Sequence, residues 1–102
     1  MKVNDITVSN VATYLRLETG EYTNDEITNL INISKLFISN YTGIPIISND
    51  ETVKIINDYE DFVIVVYVLC QDMFDNRSYY VDKTNLNKVV DTILGMHCKN
   101  LL

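Results

Sequence analysis

The sequence predicts a small all-α protein: a compact bundle of four main helices with a longer irregular segment between the second and the third helix. Apolar residues recur at spacings of three and four in separate segments, which is the period of an α-helix. Residues suited to helix capping precede most of these segments. The chain has 102 residues with one Pro and three Gly, so little of it is typical of a linker. We therefore expect a single domain over residues 1–102.

The first predicted helix spans about residues 8–17. Either Thr7 or Ser9 can cap it, because each hydroxyl can accept a hydrogen bond from a free backbone N–H group of the first turn. Gly20 lies in the break that follows. The apolar residues that share one face of this helix are Val8, Val11, Ala12 and Leu15.

The second predicted helix spans about residues 24–42. Thr23 or Asn24 caps it, and acidic residues occupy its first turn, where the helix dipole favours negative charge. Gly43 can adopt the left-handed conformation that closes a helix, and Pro45 prevents its continuation. The residues that keep the helical period are Ile27, Leu30, Ile31, Ser34, Phe37, Ile38 and Tyr41.

The segment 44–57 allows two interpretations. Its isoleucines around Pro45 are typical of extended chain. A short helix could begin at Asn49 and carry Val53 and Ile56, or the same residues could form a strand-like loop.

The third helix is predicted at about residues 58–76, with Asp58 as its N-cap and Glu60 and Asp61 in its first turn. Its β-branched run could form a buried strand by propensity alone. However, two polar residues follow the run, and the apolar pair Met73 and Phe74 comes after them, which is a helical pattern. A helix that is apolar nearly all round belongs at the centre of the fold.

The fourth helix is predicted at about residues 85–96, after a polar, tyrosine-rich loop at 77–84. The apolar faces of the long helices must meet in one core. We expect the following residues to be largely buried there: Leu30, Ile31, Phe37, Val66, Leu69, Phe74, Val90 and Leu94.

Charge and composition exclude several classes of protein. With 14 acidic and 8 basic residues and a formal net charge of −6, the chain is unlike nucleic-acid-binding proteins, which cluster Lys and Arg on one face. Its longest apolar run, residues 62–70, is shorter than the roughly 20 residues of a membrane span. No signal peptide is evident. We expect a protein of the cytosol with no membrane partner, in which Cys70 and Cys98 are reduced thiols.

Patterns that indicate catalysis or metal binding are weak. His97, Cys98 and Cys70 supply at most three of the four ligands usual in a structural zinc site, and a thiol in an apolar run is unreactive. Asp72 and Asp75 could share a metal, but without further ligands a solvated helix face is the preferred interpretation. No nucleotide-binding glycine loop occurs. We expect no catalytic, cofactor-binding or metal-binding residues, and a protein that is not an enzyme.

Tyrosine is the most informative residue type. The following set of tyrosines is large for so small a chain: Tyr22, Tyr41, Tyr59, Tyr67, Tyr79 and Tyr80. Tyr is enriched at protein interfaces, although part of this set could simply edge the core. We expect an interface built from two non-helical segments, whose candidate residues are Ile44, Ile46, Ile47, Tyr79, Tyr80 and Val81.

Four motifs follow one another from about Ile6 to Leu94. They are Val11-Ala12-Thr13-Tyr14-Leu15-Arg16-Leu17, a long helix after Asp25-Glu26 that ends in Ile38-Ser39-Asn40-Tyr41-Thr42-Gly43, an apolar run leading into Met73-Phe74-Asp75-Asn76-Arg77, and the closing helix 87–94. In this order and spacing they resemble the head-tail connector proteins of tailed bacteriophages, also called adaptor or head-completion proteins. Ile44 departs from the pattern, because many members carry a basic residue after the Gly.

The resemblance implies a structural function. Such proteins form a ring beneath the portal of a filled capsid, extend the DNA channel and join the capsid to the tail. The implied partners are the portal protein, the next neck or tail protein, other copies of the chain, and double-stranded DNA that passes without sequence-specific binding. The implied location is the virion neck, and the bacterial host cytoplasm during assembly. An acidic channel wall agrees with this role, because it repels phosphates.

Two other classes of function stay open at this point. A small helical interaction or regulatory domain of a mobile element would be supported by a DNA-reading helix rich in Arg, Lys, Asn and Gln. A small hydrolase would require clustered histidines or acids. The sequence contains no such DNA-reading helix.

Overall fold

The computed structural model describes residues 1–75 and 87–97. It confirms the predicted all-α fold, since the described residues form α-helices and two short 3₁₀ helices and contain no β-strand. The α-helices are α1 (Val8–Tyr14), α2 (Asn24–Thr42), α3 (Phe62–Asp75) and α4 (Lys88–His97), and the 3₁₀ helices are Val3–Asp5 and Ile56–Asp58.

Both ends of α1 are determined by local hydrogen bonds. The Thr7 hydroxyl accepts from the backbone N–H of Asn10 at 3.1 Å, and Asn10 Oδ1 accepts from the backbone N–H of Thr7 at 3.0 Å. This reciprocal pair is a capping box. The helix ends earlier than predicted, because Arg16 adopts a φ of 60° and the N–H of Leu17 turns back to the carbonyl of Ala12 at 2.9 Å.

The predicted bounds of α2 are confirmed. The hydroxyl of Thr23 accepts a hydrogen bond from the N–H of Glu26 at 3.1 Å, so Thr23 is the cap. Gly43 adopts a φ of 78°, and its N–H donates to the carbonyl of Ser39 at 2.9 Å. This is the left-handed closure for which Gly is best suited.

The segment between α2 and α3 is a loop that contains neither a strand nor a helix starting at Asn49. The N–H of Ile56 donates to the carbonyl of Pro45 at 3.0 Å and closes the loop at its base. The Ile56 side chain is buried. The loop is therefore tied to the core at both of its ends.

Helix α3 begins at Phe62, so the predicted role of Asp58 as its N-cap is wrong. The Asp58 carboxylate instead accepts from the N–H of Ile55 at 2.9 Å and stabilises the preceding 3₁₀ helix. Glu60 and Asp61 accordingly precede α3 rather than occupying its first turn. The acidic cluster marks a helix start, but it does not determine which of two adjacent turns the carboxylates cap.

Helix α3 lies at the centre of the described fold and packs against α1, α2 and α4. Tyr67 faces α1, Cys70 faces α2, and Phe62 faces α4. Because successive helical residues are about 100° apart, these side chains span an arc of about 140° with Cys70 between the other two. Around the axis of α3, helix α2 therefore lies between α1 and α4.

The core agrees with the predicted set in most positions. Six of the predicted residues are buried: Leu30, Ile31, Val66, Leu69, Val90 and Leu94. Phe37 and Phe74 are only half-buried and pack against the edge of the core. The core also includes side chains from outside the four helices: Val3, Ile6, Ile44 and Ile56.

Helix α4 begins at Lys88 within the described residues, whereas the predicted start and the predicted loop at 77–84 lie outside them. The Tyr41 hydroxyl donates to Asp91 Oδ1 at 2.8 Å and ties the end of α2 to α4. A second tie joins the end of α4 to the start of α3 through His97 and Asp61.

Candidate functional site

Two tyrosines form an exposed aromatic surface where α1 meets α3. The ring centroids of Tyr14 and Tyr67 are 4.9 Å apart and their planes differ by 13°, which is a stacked arrangement. The Tyr67 hydroxyl donates to Met1 Sδ at 3.5 Å. Ile64 lies one turn before Tyr67 on α3 and is 53% exposed. We call Met1, Tyr14, Ile64 and Tyr67 the tyrosine patch.

The two rings of the tyrosine patch differ in exposure. Tyr14 is 43% exposed, whereas Tyr67 is half-buried beneath it. Burial raises the pKa of Tyr67 above its ordinary value, with a further contribution from the Cys70 thiol. The Tyr67 hydroxyl is therefore neutral at physiological pH, and the side chains of the patch are largely apolar.

Arg16, two residues after Tyr14, has an unusual backbone conformation. It is the one non-Gly residue with positive φ in the described part of the chain. Its N–H donates to the carbonyl of Thr13 at 3.1 Å, and the following residue completes the Schellman closure of α1. Such a position strongly favours Gly. A basic side chain is thus held two residues after Tyr14, at a cost in backbone strain.

The three isoleucines that the sequence assigned to an interface differ in their exposure to solvent. Ile44 is 1% exposed and belongs to the core, so its assignment to a surface is corrected. Ile46 is half-buried, and Ile47 is 79% exposed. The chain turns outward between these residues because Ile44 fills the core beside the end of α2. Val53, further along the same loop, is 39% exposed.

The tip of this loop is held by its own side chains. Asp50 Oδ1 accepts hydrogen bonds from the N–H and the hydroxyl of Thr52, at 2.9 and 2.7 Å. The N–H of Asp50 donates to the hydroxyl of Ser48 at 3.1 Å. The hydrogen bonds from Thr52 lower the pKa of Asp50, so its carboxylate is ionised at neutral pH. Residues 46–53, called the 46–53 loop below, therefore present Ile47 on an ordered, acidic turn.

A third exposed apolar surface lies on α4. Val89 and Met96 are 51% and 68% exposed, and Ile93 between them is half-buried. The side chains of Lys88, Val89, Thr92 and Ile93 line a shallow pocket. Because these positions follow a spacing of three and four, they form a stripe along one side of α4, called the α4 stripe below, with Ile93 at the edge of the core.

His97 contacts Asp61 and two aromatic rings, and Cys70 is buried in the core. His97 Nε2 lies 2.7 Å from Asp61 Oδ2, and its ring packs edge-on against Tyr59 and Phe62. Within the described residues, no group of three potential metal ligands occurs. Cys98, the third residue of the predicted weak zinc set, lies outside them.

The environment of Cys70 disfavours the thiolate form of its side chain. The side chain is fully buried, and burial raises its pKa to about 11, opposed in part by the Ser34 hydroxyl. Its Sγ lies 3.6 Å from Ser34 Oγ, which donates to the carbonyl of Leu30 at 2.8 Å. The thiol is therefore protonated at physiological pH and fills space in the core, as the sequence predicted.

The other residues singled out in the sequence lie at the edge of the core, at the surface or outside the described residues. Tyr22, Tyr41, Tyr59 and Tyr67 all pack against the core while partly exposed. Tyr79, Tyr80 and Val81 lie outside the described residues. Asp75 is exposed, and Asp72 is partly buried. The pKa of Asp72 is raised by burial and then by the charge of Asp75.

Sequence reasoning did not identify Met1, Tyr14, Ile64 or Arg16 as surface candidates. Tyr14 lies off the apolar face of α1 that contains Val11 and Leu15, and this offset was the available signal for exposure. The strained conformation of Arg16 has no signal in the sequence, since Arg rarely adopts it. Only the packing of α1 against α3 brings Tyr14 onto Tyr67.

No known protein family, curated protein or solved structure matches this chain. None of the described helices is both long and apolar enough to cross a membrane.

Proposed function

We propose that this chain is a subunit of a head-tail connector of a tailed bacteriophage. In this proposal, copies of the chain form a ring under the portal protein, extend the DNA channel and receive the next neck or tail protein. The observation that carries the proposal is the order and spacing of the four motifs between Ile6 and Leu94. Its chemistry is structural, and no catalytic step is assigned to it.

The positions of two motifs support the proposal. The Tyr-Leu-Arg ending of the first motif coincides with the closure of α1 at Arg16, and the Tyr-Thr-Gly ending of the second coincides with the closure of α2 at Gly43. The similarity thus falls on residues that terminate helices, where backbone conformation restricts the choice of side chain.

Exposed apolar surface also favours a role in assembly. Single exposed apolar residues are ordinary, but here they cluster at the tyrosine patch, the 46–53 loop and the α4 stripe. A connector subunit needs separate surfaces for its neighbours in the ring, for the portal and for the tail. The three clusters are sufficient in number for these contacts.

Charge is consistent with a DNA channel. The formal net charge of −6 is multiplied in a ring of identical subunits. A negative ring does not neutralise phosphates and so lacks the main source of non-specific affinity for DNA. The DNA can then move through the channel without being retained.

Electron microscopy of the portal complex tests the function. The wild-type protein is added in excess to purified portal from the same phage genome, alongside a Tyr79→Ser, Tyr80→Ser double variant and a Leu36→Ser control. Leu36 is 54% exposed on α2, apart from the three surfaces. We expect an added ring with the wild type and the control, and its loss in the double variant if the tyrosine-rich loop docks on the portal.

A bare portal in the presence of folded wild-type protein would refute the connector function. That result would favour the alternative of a helical interaction or regulatory domain of a mobile element. Retention of the ring in the double variant would instead remove the tyrosine-rich loop from the contact and leave the connector function in place.

A further inference from the structure

We infer that the tyrosine patch, together with Arg16, receives the 46–53 loop of a second copy of this chain. The inference rests on the proposed function, because it names the two surfaces through which subunits of the ring would meet. The contact is heterologous: one surface of a subunit meets a different surface of the next subunit. The described residues provide both surfaces on the same chain.

The apolar parts of the two surfaces are complementary in form. Ile47 projects from the 46–53 loop with 79% of its surface exposed. The tyrosine patch presents the ring of Tyr14, which is stacked on Tyr67 with a 13° angle between the ring planes, and the exposed side chain of Ile64. A projecting aliphatic side chain against a rigid aromatic face is typical of the centre of a protein interface.

Charge selects the 46–53 loop as the occupant. Arg16 is an exposed cation two residues after Tyr14 of the tyrosine patch, and the exposed tip of the loop carries Asp50 and Glu51. The Asp50 carboxylate already accepts two hydrogen bonds from Thr52. Glu51 has no such partner in the described part of the chain, so we pair it with Arg16 of the neighbouring copy. An Arg–carboxylate pair also fixes the register of two apolar surfaces.

The α4 stripe fits the tyrosine patch less well. Its exposed end carries Lys88, which would lie near Arg16 with the same sign of charge. The acidic residue of α4, Asp91, lies off the stripe and accepts a hydrogen bond from Tyr41. Like charges across an interface disfavour the pairing. The 46–53 loop is thus the better partner by charge.

Both surfaces are ordered before they meet. The backbone of Arg16 is held by the Schellman closure of α1, and the loop tip by the hydrogen bonds of Ser48, Asp50 and Thr52. Association of ordered segments loses less conformational entropy than association of flexible ones. This also gives a reason for the strain at Arg16, since the left-handed conformation directs its side chain from a fixed backbone.

Cross-linking between two cysteine variants tests the contact directly. In a Cys98→Ser background, one chain carries Thr13→Cys beside the tyrosine patch and the other carries Asn49→Cys in the loop; both positions are exposed. Asn32→Cys, exposed on α2, is the matched control. The chains are mixed at high concentration with a short bis-maleimide reagent.

We expect the mixture of Thr13→Cys and Asn49→Cys chains to give a cross-linked dimer in several-fold higher yield than either chain mixed with Asn32→Cys. Equal yields in all three mixtures would overturn the inference. Buried Cys70 does not react with the reagent in the folded chain, so the yields report only on the introduced thiols.

A charge exchange tests the proposed pair. Arg16→Glu in the Thr13→Cys chain, or Glu51→Arg in the Asn49→Cys chain, should each lower the yield several-fold, and combining the two should restore it. A combined loss equal to or greater than the single losses would contradict the pairing. Circular dichroism of each variant distinguishes these effects from misfolding.

The outcome is separable from that of the portal experiment. Efficient cross-linking with a bare portal would leave the self-contact in place and refute the connector function. A ring on the portal without selective cross-linking would leave the function in place and refute these two surfaces.

Discussion

Replacing Arg16 with Gly should stabilise the fold while weakening assembly. The φ of Arg16 is 60°, and the left-handed conformation costs a residue with a Cβ about 1–2 kcal/mol. Gly removes this strain, but its greater freedom in the unfolded chain offsets about 0.4–1 kcal/mol. We expect the free energy of unfolding to rise by about 0.5–1 kcal/mol, which corresponds to about 2–8 °C in melting temperature for a domain of this size.

Urea unfolding followed by far-UV circular dichroism measures the change. Arg16→Ala is the control, because it removes the guanidinium and keeps the strained backbone; it should stay within about 0.5 kcal/mol of the wild type. If Arg16→Gly is no more stable than Arg16→Ala, the argument from backbone strain is wrong. Both variants should reduce cross-linking between the tyrosine patch and the loop, since both lack the guanidinium.

The remaining predictions concern the core and the helix ends. Leu69→Ala should lower the free energy of unfolding by about 2–5 kcal/mol, because Leu69 is 1% exposed. The control Leu36→Ala, on the exposed face of α2, should change the free energy of unfolding by less than about 0.5 kcal/mol. Equal losses in the two variants would contradict the packing of Leu69. Gly43→Ala should destabilise by about 1–2 kcal/mol in urea unfolding, since its φ is 78°; an unchanged midpoint would refute this. Above pH 9 the thiol of Cys70 ionises in the unfolded chain, whereas burial keeps it protonated in the native state until its pKa of about 11. The free energy of unfolding should therefore fall as the pH rises from 9 to 11, and it should fall less steeply in Cys70→Ala than in the wild type. Equal pH dependence in the two proteins would contradict the burial of Cys70.

The candidate surfaces were only partly predictable from the sequence. The loop around Pro45 was correctly expected to expose an isoleucine, but the sequence could not distinguish buried Ile44 from exposed Ile47. An isoleucine in an irregular segment has no periodicity that assigns it to a face. Tyr14 was visible as part of a motif, yet its stacking on Tyr67 joins residues 53 positions apart in the chain.

Features that depend on neighbouring residues were determined by the sequence alone: the helical period of α2, its closure at Gly43, and an N-cap at one of the adjacent residues Thr23 and Asn24. Each arises from hydrogen bonds or backbone conformation within a few residues. The start of α3 at Phe62 and the burial of Ile44 were decided only by the tertiary structure. Asp58 could have capped either of two adjacent turns, and packing selected the 3₁₀ helix, whose Ile56 side chain enters the core. Local rules specify which elements can form, and the burial of apolar surface against distant segments selects among the alternatives.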